Sequence, residues 1–223
     1  MTPSSGVSVV IPVRDGEKFL AATLQAALDQ SLPPDEVIVV DDGSVDASAQ
    51  VAEGFGPPVR CLRRAESGGP GVARNDGIAA AAGDAVALLD ADDLPHPRWL
   101  ELLRAALDEA PAADLAFGHV RLFESDAGPG GAGPLHRGLI PNGLMLRRSA
   151  FERFGAFATQ YVLGEFMEWL FRARAAGLRE RGIDDLVLHR RVHGGNLTLR
   201  ARDSYRDYAT VLKRELDRRR ARG

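Results

Sequence analysis

"AVALLDADDLPHPRWL", residues 85–100, is an apolar run that ends abruptly in three carboxylates and then continues, past a proline, into an amphipathic segment. The carboxylates belong to Asp90, Asp92 and Asp93. Negative charges this close together repel one another. We therefore expect a positively charged group to bind at this point. The apolar run itself has no alternation, which is typical of a strand buried on both faces of a parallel sheet.

Three more apolar runs precede this strand, and helical patterns separate them from one another. The runs are VSVVIPV (7–13), EVIVVDD (36–42) and VRCL (59–62), and the helical segments are 17–30, 44–55 and 71–83. We expect Gly83 to end the third helix as its C′ residue. This alternation predicts an α/β fold, an αβα sandwich around a doubly wound parallel sheet. Ligands of such folds bind beyond the carboxyl ends of the strands.

The second half of the chain continues with a mixture of helical and strand-like patterns. Helices are predicted over 97–110, 164–177 and 201–222. A strand is predicted over 114–123, a short strand that runs into a helix over 143–157, and a strand followed by a Gly-rich turn over 184–196. In the last helix, Tyr205, Tyr208, Leu212 and Leu216 are expected near one stripe. The Gly- and Pro-rich segment 124–138 is predicted to be a mobile loop. We find no repeat and no linker, so we predict one domain.

Composition excludes some classes of function. A formal net charge of −3 and a pI near 6.0 argue against a nucleic-acid-binding protein. The single cysteine, Cys61, favours a reducing compartment. No basic segment precedes the first apolar run, and no apolar stretch reaches the roughly 20 residues that span a bilayer. We expect a cytoplasmic protein. Weak peripheral contact with anionic lipid remains open, because Arg218–Arg220 and Arg222 form a basic run.

Acidic residues follow three of the predicted parallel strands, so they should meet at one edge of the sheet. Asp15 follows the first strand, Asp41 and Asp42 end the second, and the 90–93 cluster ends the fourth. Carboxylates one residue apart, with no cysteine nearby, favour a hard, oxygen-seeking cation. Mn²⁺ or Mg²⁺, held by one or two carboxylates and completed by a diphosphate, fits this pattern best. A Ca²⁺ loop would need a longer alternating acidic loop with a glycine turn.

The chain resembles the family 2 glycosyltransferases, which have the GT-A fold. Five motifs carry the resemblance in the expected order along nearly the whole chain: VSVVIPVRDGEKFL, VIVVDDGSVDAS, GPGVARNDGIAAAAGDAVALLDADDL, RRSAFERFGAF and HRRVHGGNLT. The resemblance implies a Rossmann-like αβα sandwich with a mostly parallel sheet and a small C-terminal acceptor lobe. The nucleotide-sugar-binding half would be 1–93, the acceptor half 94–200 and the C-terminal helix 201–223.

The same resemblance implies roles for individual residues. Asp41 would recognise the base, Arg74 and Asn75 would lie near the donor sugar, and Asp90-Ala91-Asp92 would be the DXD motif. The residues expected to contact the nucleotide-sugar are Pro12, Val13, Arg14, Asp15, Asp41, Asp42, Ser44, Arg74, Asn75, Asp90 and Ala91. Those expected at the metal ion are Asp92, Asp90 and His193. Asp93 would contact these ligands without binding the ion itself.

The chain departs from the family pattern at the general base. Family members carry a Glu-Asp pair at the start of a C-terminal helix, with the aspartate as base. Here Glu165 matches the glutamate, but Phe166 stands at the position of the aspartate. Three alternatives remain open: Glu165 is the base, Glu168 one turn further on is the base, or the chain binds a nucleotide-sugar without efficient transfer.

The function implied is a metal-dependent, inverting transfer of a sugar from a nucleoside-diphosphate sugar, expected to be UDP-linked, to a hydroxyl acceptor. The acceptor is open: a saccharide, a lipid-linked saccharide, a peptide or a small molecule. A divalent ion would neutralise the leaving diphosphate, and a carboxylate would take the acceptor proton. The alternatives are a nucleotide-sugar-binding protein that has lost transfer and a nucleotidyltransferase. The latter needs a Gly-rich basic loop after the first strand, where PVRDGEKF offers one arginine and one glycine.

Overall fold

The computed structural model describes residues 4–124, 129, 135–137, 139–197 and 205–220. The strands in these ranges are β1 (Ser4–Val13), β2 (Glu36–Asp41), β3 (Val59–Arg63), β4 (Gly83–Leu88), β5 (Leu94–Pro95), β6 (Leu115–Glu124), β7 (Leu135–Arg137), β8 (Met145–Arg147) and β9 (Glu180–Val192). The helices are α1 (Glu17–Leu28), α2 (Ser48–Phe55), α3 (Pro70–Ala80), α4 (Trp99–Glu109), α5 (Arg148–Phe154), α6 (Glu165–Ala175) and α7 (Tyr205–Arg220).

The first four long strands form the parallel part of the sheet, in the order β3-β2-β1-β4. Both faces of these strands are apolar. In β1, Val9 and Ile11 pack with α1, α2 and α4, whereas Val10 packs with α3, α5 and α6 on the opposite face. This two-sided burial explains the absence of alternation in the sequence. The predicted αβα sandwich is confirmed.

The second half of the chain extends the same sheet with mixed pairing. The order continues β8-β6-β9-β5, and β7 pairs with β6. β8 runs antiparallel to β4 and β6, whereas β9 is parallel to β6. The short strand β5 pairs antiparallel with β9 through Leu94 and His189. β9 therefore lies close to the acidic segment that links β4 to β5.

Gly83 does not end a helix, as the sequence predicted. α3 ends at Ala80, Ala81 is extended, and Gly83 begins β4, where it pairs with Ser4. A Cβ at this position would lie 2.4 Å from the carbonyl oxygen of Gly6. The glycine is therefore needed because two strands approach closely, a reason that a glycine at the end of an alanine-rich helix does not reveal.

Two predictions for the second half also need correction. In the predicted loop 124–138, residues 135–137 form strand β7, while 125–128, 130–134 and 138 lie outside the described residues. In α7 the buried residues are Val211 and Glu215, whereas Tyr205, Leu212 and Leu216 are exposed. Tyr208 packs against Gly164, whereas the rest of the predicted stripe faces solvent because the helix packs mainly through the neighbouring stripe.

Part of the basic run in α7 is neutralised within the helix. Arg218 and Arg219 both form ion pairs with Glu215, and Arg222 lies outside the described residues. In the ranges that the structure describes, no helix combines the length and the hydropathy needed to cross a lipid bilayer.

α3 packs against the sheet through a glycine, which yields a prediction for stability. A Cβ at Gly77 would lie 2.3 Å from Cγ1 of Val10, which is fully buried. We expect Gly77→Ala to lower the free energy of unfolding by about 2 kcal/mol through overpacking. Gly54→Ala in α2 is the matched control, because a Cβ there meets no atom within 4 Å. It should stabilise the protein by about 0.5–1 kcal/mol through helix propensity. Urea denaturation measures both, and equal effects would contradict this packing.

Candidate active site

The carboxyl ends of β1, β2 and β4 form one edge of the sheet, because these strands are parallel neighbours. Val13 at the end of β1 pairs with Asp41 at the end of β2, and the amide of Asp42 donates to the Val13 carbonyl at 2.8 Å. Asp90 follows β4 at the same edge. The structure therefore places these strand ends side by side, with Pro12 and Val13 inside β1 itself.

The loops after β1 and β2 are joined by polar contacts around Ser44. The Ser44 amide donates to Oδ1 of the buried Asp41 at 3.0 Å, and the Ser44 hydroxyl accepts from the Asp15 amide at 3.0 Å. Asp15 in turn accepts from the Val45 amide at 2.9 Å. Asp15 has a φ of 52°, in the left-handed region that few residues other than glycine adopt. These contacts hold the two loops together beside the strand ends.

Asp42 organises the loop that leads into α3. Each of its carboxylate oxygens has two partners within 2.9 Å. These partners are the amides of Gly68 and Gly69, the hydroxyl of Ser67 and Nε of Arg64. Arg14, which is largely exposed, also donates to the Ser67 hydroxyl at 2.9 Å. Asp42 is therefore held by three hydrogen bonds and one ion pair within the protein, whereas Arg14 lies at the outer edge of this loop.

Arg74 occupies the centre of the site. Its side chain is only 6% exposed, and its two terminal nitrogens contact different carboxylates. Nη2 lies 2.7 Å from Oδ1 of Asp90, and Nη1 lies 2.6 Å from Oε1 of Glu165. Burial alone would lower the pKa of Arg74, but the charges of Asp90 and Glu165 outweigh it and raise the pKa. Arg74 thus carries a fixed positive charge that links α3 to the end of β4 and to the start of α6.

Asp92 is held by the turn that follows β9. Its Oδ2 lies 2.9 Å from Nε2 of His193 and accepts from the side-chain amide of Asn196 at 2.9 Å. Nδ1 of His193 accepts from the Gly195 amide at 3.1 Å, so the neutral ring carries its proton on Nε2. Burial and the charge of Asp90 raise the pKa of Asp92, although His193 opposes this. Asn196 was not among the residues that the sequence singled out.

Asp93 lies behind this cluster and connects it to the sheet. It is 1% exposed, and it accepts from the Arg191 amide at 2.8 Å and from the side-chain amide of Asn142. Burial, followed by the charges of Asp92 and Asp90, raises the pKa of Asp93 well above its ordinary value. The hydroxyl of Thr23 in α1 lies 2.9 Å from the carbonyls of Ala91 and Asp93. The acidic segment is therefore fixed from three sides.

The donor set is suited to a hard cation that a substrate would help to hold. The side chains of Asp90 and Asp92 are 31% and 26% exposed, and Oδ1 of Asp92 takes no part in the bonds to His193 and Asn196. The carboxylates of Asp90 and Asp92 match Mn²⁺ or Mg²⁺ with phosphate oxygens completing the shell, and the His193 ring could join them only by giving up its contacts to Asp92 and Gly195. Within the described ranges, no group of three or more His, Cys, Asp or Glu side chains is already arranged to hold a metal.

Two predicted site residues make their contacts elsewhere. The side-chain amide of Asn75 exchanges two hydrogen bonds, each of 2.9 Å, with the backbone of Phe157. Glu168 forms an ion pair with Arg172 at 3.1 Å and lines a groove between α6 and α7. The structure therefore joins Glu165, but not Glu168, to Asp90 through Arg74.

Phe166 lies in the core. It is 7% exposed, and its ring centroid is 6.3 Å from that of Phe157 and 6.2 Å from that of Trp169. Trp169 is also buried, and its indole donates to the Gly155 carbonyl at 2.8 Å. Glu165, the first residue of α6, is consequently the acidic residue at this helix end that contacts Arg74.

This fold and this arrangement of strand ends are those of the GT-A class of glycosyltransferases. The structure of TarS residues 1–349 from S. aureus, solved with UDP-GlcNAc, superposes with a TM-score of 0.78 at 21% identity, covering 94% of this chain and 65% of TarS. The TarS structure solved with UDP gives a TM-score of 0.70 at 21% identity over 85% of this chain and 61% of TarS. The predicted GT-A fold is confirmed.

The family model described as "Glycosyl transferase family 2" matches residues 8–159, and the chain belongs to this family. Glycosyltransferase GlyG from Streptococcus pneumoniae is 32% identical over 123 residues, 54% of this chain and 41% of GlyG. Glycosyltransferase AglE from Haloferax volcanii is 29% identical over 192 residues, 77% of this chain and 62% of AglE. The chain thus spans between two fifths and two thirds of the length of these relatives. The predicted family is confirmed.

The buried position of Arg74 predicts a large energetic coupling. Arg74→Met leaves Glu165, which is 6% exposed, without its partner, so we expect the free energy of unfolding to fall by about 3 kcal/mol. Arg74→Met combined with Glu165→Gln should cost less than the sum of the single changes, by at least about 1 kcal/mol. Urea denaturation of the four proteins measures this coupling.

The control for this cycle is Arg98→Met. It breaks the ion pair between Arg98 and Glu101, whose side chains are 56% and 41% exposed. We expect little change in the free energy of unfolding, because exposed ion pairs contribute little to stability. Strict additivity of the Arg74 and Glu165 substitutions would show that the two side chains do not form the pair described.

Proposed function

We propose that this chain is a glycosyltransferase that moves a sugar from a UDP-linked donor to a hydroxyl acceptor with inversion of configuration, and that Glu165 is the general base. The observation that carries the proposal is the bridge that Arg74 forms between Asp90 and Glu165. The DXD motif, expected at the diphosphate, and a carboxylate that could take a proton therefore contact the same arginine side chain. Asp92 and His193 lie at the same edge.

Two solved structures support a UDP-sugar as donor, and the name of one relative agrees with transfer of a sugar. The TarS structures were solved with UDP and with UDP-GlcNAc, and poly(ribitol-phosphate) beta-glucosyltransferase from Bacillus spizizenii is 34% identical over 93 residues, 39% of this chain and 15% of that enzyme. In our proposal Asp41 recognises the uracil. The loops that carry Arg14, Asp15 and Ser44 then line the base and ribose, since these loops are already held beside Asp41.

Mn²⁺ or Mg²⁺ is the proposed cofactor, bound by Asp92 with Asp90 and His193. When bound, such an ion neutralises the negative charge that develops on the leaving diphosphate. Arg74 provides a second positive charge at the same edge, and its charge-assisted hydrogen bonds can shift from the carboxylates to phosphate oxygens. Its burial between two carboxylates keeps the guanidinium oriented before the donor binds, which favours electrostatic stabilisation in the transition state.

Glu165 completes the proposed reaction. The acceptor oxygen forms a bond to the anomeric carbon while the bond from that carbon to the diphosphate oxygen breaks, and the acceptor proton passes to Glu165. A single displacement of this kind inverts the anomeric configuration. Phe166, at the position where the family places its aspartate, cannot take a proton, and its burial between Phe157 and Trp169 gives it a packing role.

The second candidate function is a nucleotide-sugar-binding protein without efficient transfer, and it is favoured by Phe166. The two functions share the donor site and differ in turnover. Donor binding alone therefore cannot distinguish them, whereas release of UDP in the presence of an acceptor can.

Substitution of the two glutamates of α6 tests the proposal. We expect Glu165→Gln to lower turnover of UDP-sugar by about 10²–10⁴-fold, because the base is lost, while donor binding persists. Glu168→Gln is the matched control on the same helix and should retain turnover, since Glu168 pairs with Arg172 away from Arg74. The measurement is UDP release from a donor panel with Mn²⁺ and mixed acceptors, with thermal shift as the readout of donor binding.

Three results would contradict the assignment. Loss of turnover in Glu168→Gln alone would transfer the role of base to Glu168. A wild-type protein that binds donor and Mn²⁺ but releases no UDP with any acceptor would support the binding-protein alternative. Equal turnover with and without a metal chelator would remove the cofactor from the proposal.

A further inference from the structure

Two tyrosines of α7 lie beside the start of α6, where Glu165 is located. The ring centroids of Tyr205 and Tyr208 are 6.1 Å apart and inclined at 39° to each other. Tyr208 is half-buried against Gly164, whereas Tyr205 is 49% exposed. The pair therefore combines one ring that is packed against the protein with one ring that is about half exposed.

Backbone contacts fix this surface relative to Glu165. Oδ2 of Asp207, between the two tyrosines in sequence, accepts from the amides of Val162 at 2.9 Å and Leu163 at 3.2 Å. Gly164 has a φ of 95°, and a Cβ there would lie 3.3 Å from Cδ1 of Tyr208. The glycine thus allows the Tyr208 ring to pack directly against the residue that precedes Glu165.

Charged groups near Glu165 act on the Tyr208 phenol. Burial and then the negative charge of Glu165 raise the pKa of Tyr208, while the positive charges of Arg190 and Arg74 oppose this rise. The phenol is therefore within electrostatic range of both members of the Arg74–Glu165 pair. A ligand that rests on the tyrosine pair would consequently lie next to the proposed general base.

We propose that Tyr205 and Tyr208 form the acceptor-binding platform and that the acceptor is a saccharide. This inference rests on the proposed function of Glu165. A pyranose has a face of C–H groups that packs on aromatic rings, and hydroxyl groups at its rim that hydrogen-bond to neighbouring polar groups. Two tilted rings next to a carboxylate offer both kinds of contact, as small-molecule sites commonly do.

Other aromatic and groove residues nearby do not serve this role as well. Trp169 is 1% exposed and packs within the core. In the groove between α6 and α7, Glu168 is paired with Arg172 and Glu215 with Arg218. Leu212 and Leu216 of α7 are exposed but aliphatic. Tyr208, in contrast, packs directly against Gly164, the residue that precedes Glu165.

The test is binding of simple sugars to the full chain in the presence of UDP and Mn²⁺. The probes are methyl glycosides of glucose, galactose, N-acetylglucosamine and mannose, followed by saturation-transfer NMR. We expect at least one glycoside to bind through its C–H face. Tyr205→Ala and Tyr208→Ala should each weaken this binding by about tenfold. Tyr208→Phe should retain most of it because the ring remains, and Leu216→Ala, on the same helix, should leave it unchanged.

The outcomes separate this inference from the proposed function. Absence of glycoside binding to the wild-type protein, or equal binding by the wild type and both alanine variants, would overturn the platform. Thermal shift with UDP-GlcNAc measures the donor site independently in every variant. A wild-type protein that does not bind UDP-GlcNAc would instead contradict the proposed function. Glycoside binding that depends on the two tyrosines would still be observed in that case.

Discussion

A buried arginine between two carboxylates is the interaction on which the rest of this site depends. Arg74 is 5% exposed, and it pairs with Asp90 after β4 and with Glu165 at the start of α6. Removing the charges of Arg74 and Glu165 from water carries a large desolvation cost, which only close pairing offsets. The pairing therefore couples the parallel half of the sheet, which is followed by Asp90, to α6 in the second half of the chain. The first half of the chain supplies Arg74 and Asp90, and the second half supplies Glu165.

The departure from the family pattern at Phe166 has a structural consequence. α6 begins with an acid that contacts Arg74, and its second residue belongs to the core beside Phe157 and Trp169. The proposed base and the packing of α6 are thus adjacent in sequence but separate in space. α7 then covers the start of α6, where Gly164 allows Tyr208 to approach closely. Glu165 consequently contacts Arg74 and directly follows the glycine against which Tyr208 packs.

The parallel half of the fold and its acidic edge could be predicted from sequence, because strands buried on both faces leave uninterrupted apolar runs such as EVIVVDD. The exposed stripe of α7 could not be predicted, since periodicity shows that a helix is amphipathic but not which stripe meets a neighbour. The use of Gly83 in a strand depended on a contact with Gly6, distant in sequence. For the same reason, the pairing of Arg74 with Glu165, 91 residues away, and of Asp92 with Asn196 required the folded chain.

The most direct test of the central claim is a crystal structure of the chain with UDP-GlcNAc and Mn²⁺. The account predicts a diphosphate in contact with Arg74 and with a cation on Asp92. It also predicts that the Glu165 carboxylate lies on the face of the anomeric carbon opposite the diphosphate, within reach of an incoming hydroxyl. A nucleotide bound away from Asp41 and Asp92, or a Glu165 carboxylate turned into the protein and shielded from the sugar, would contradict it.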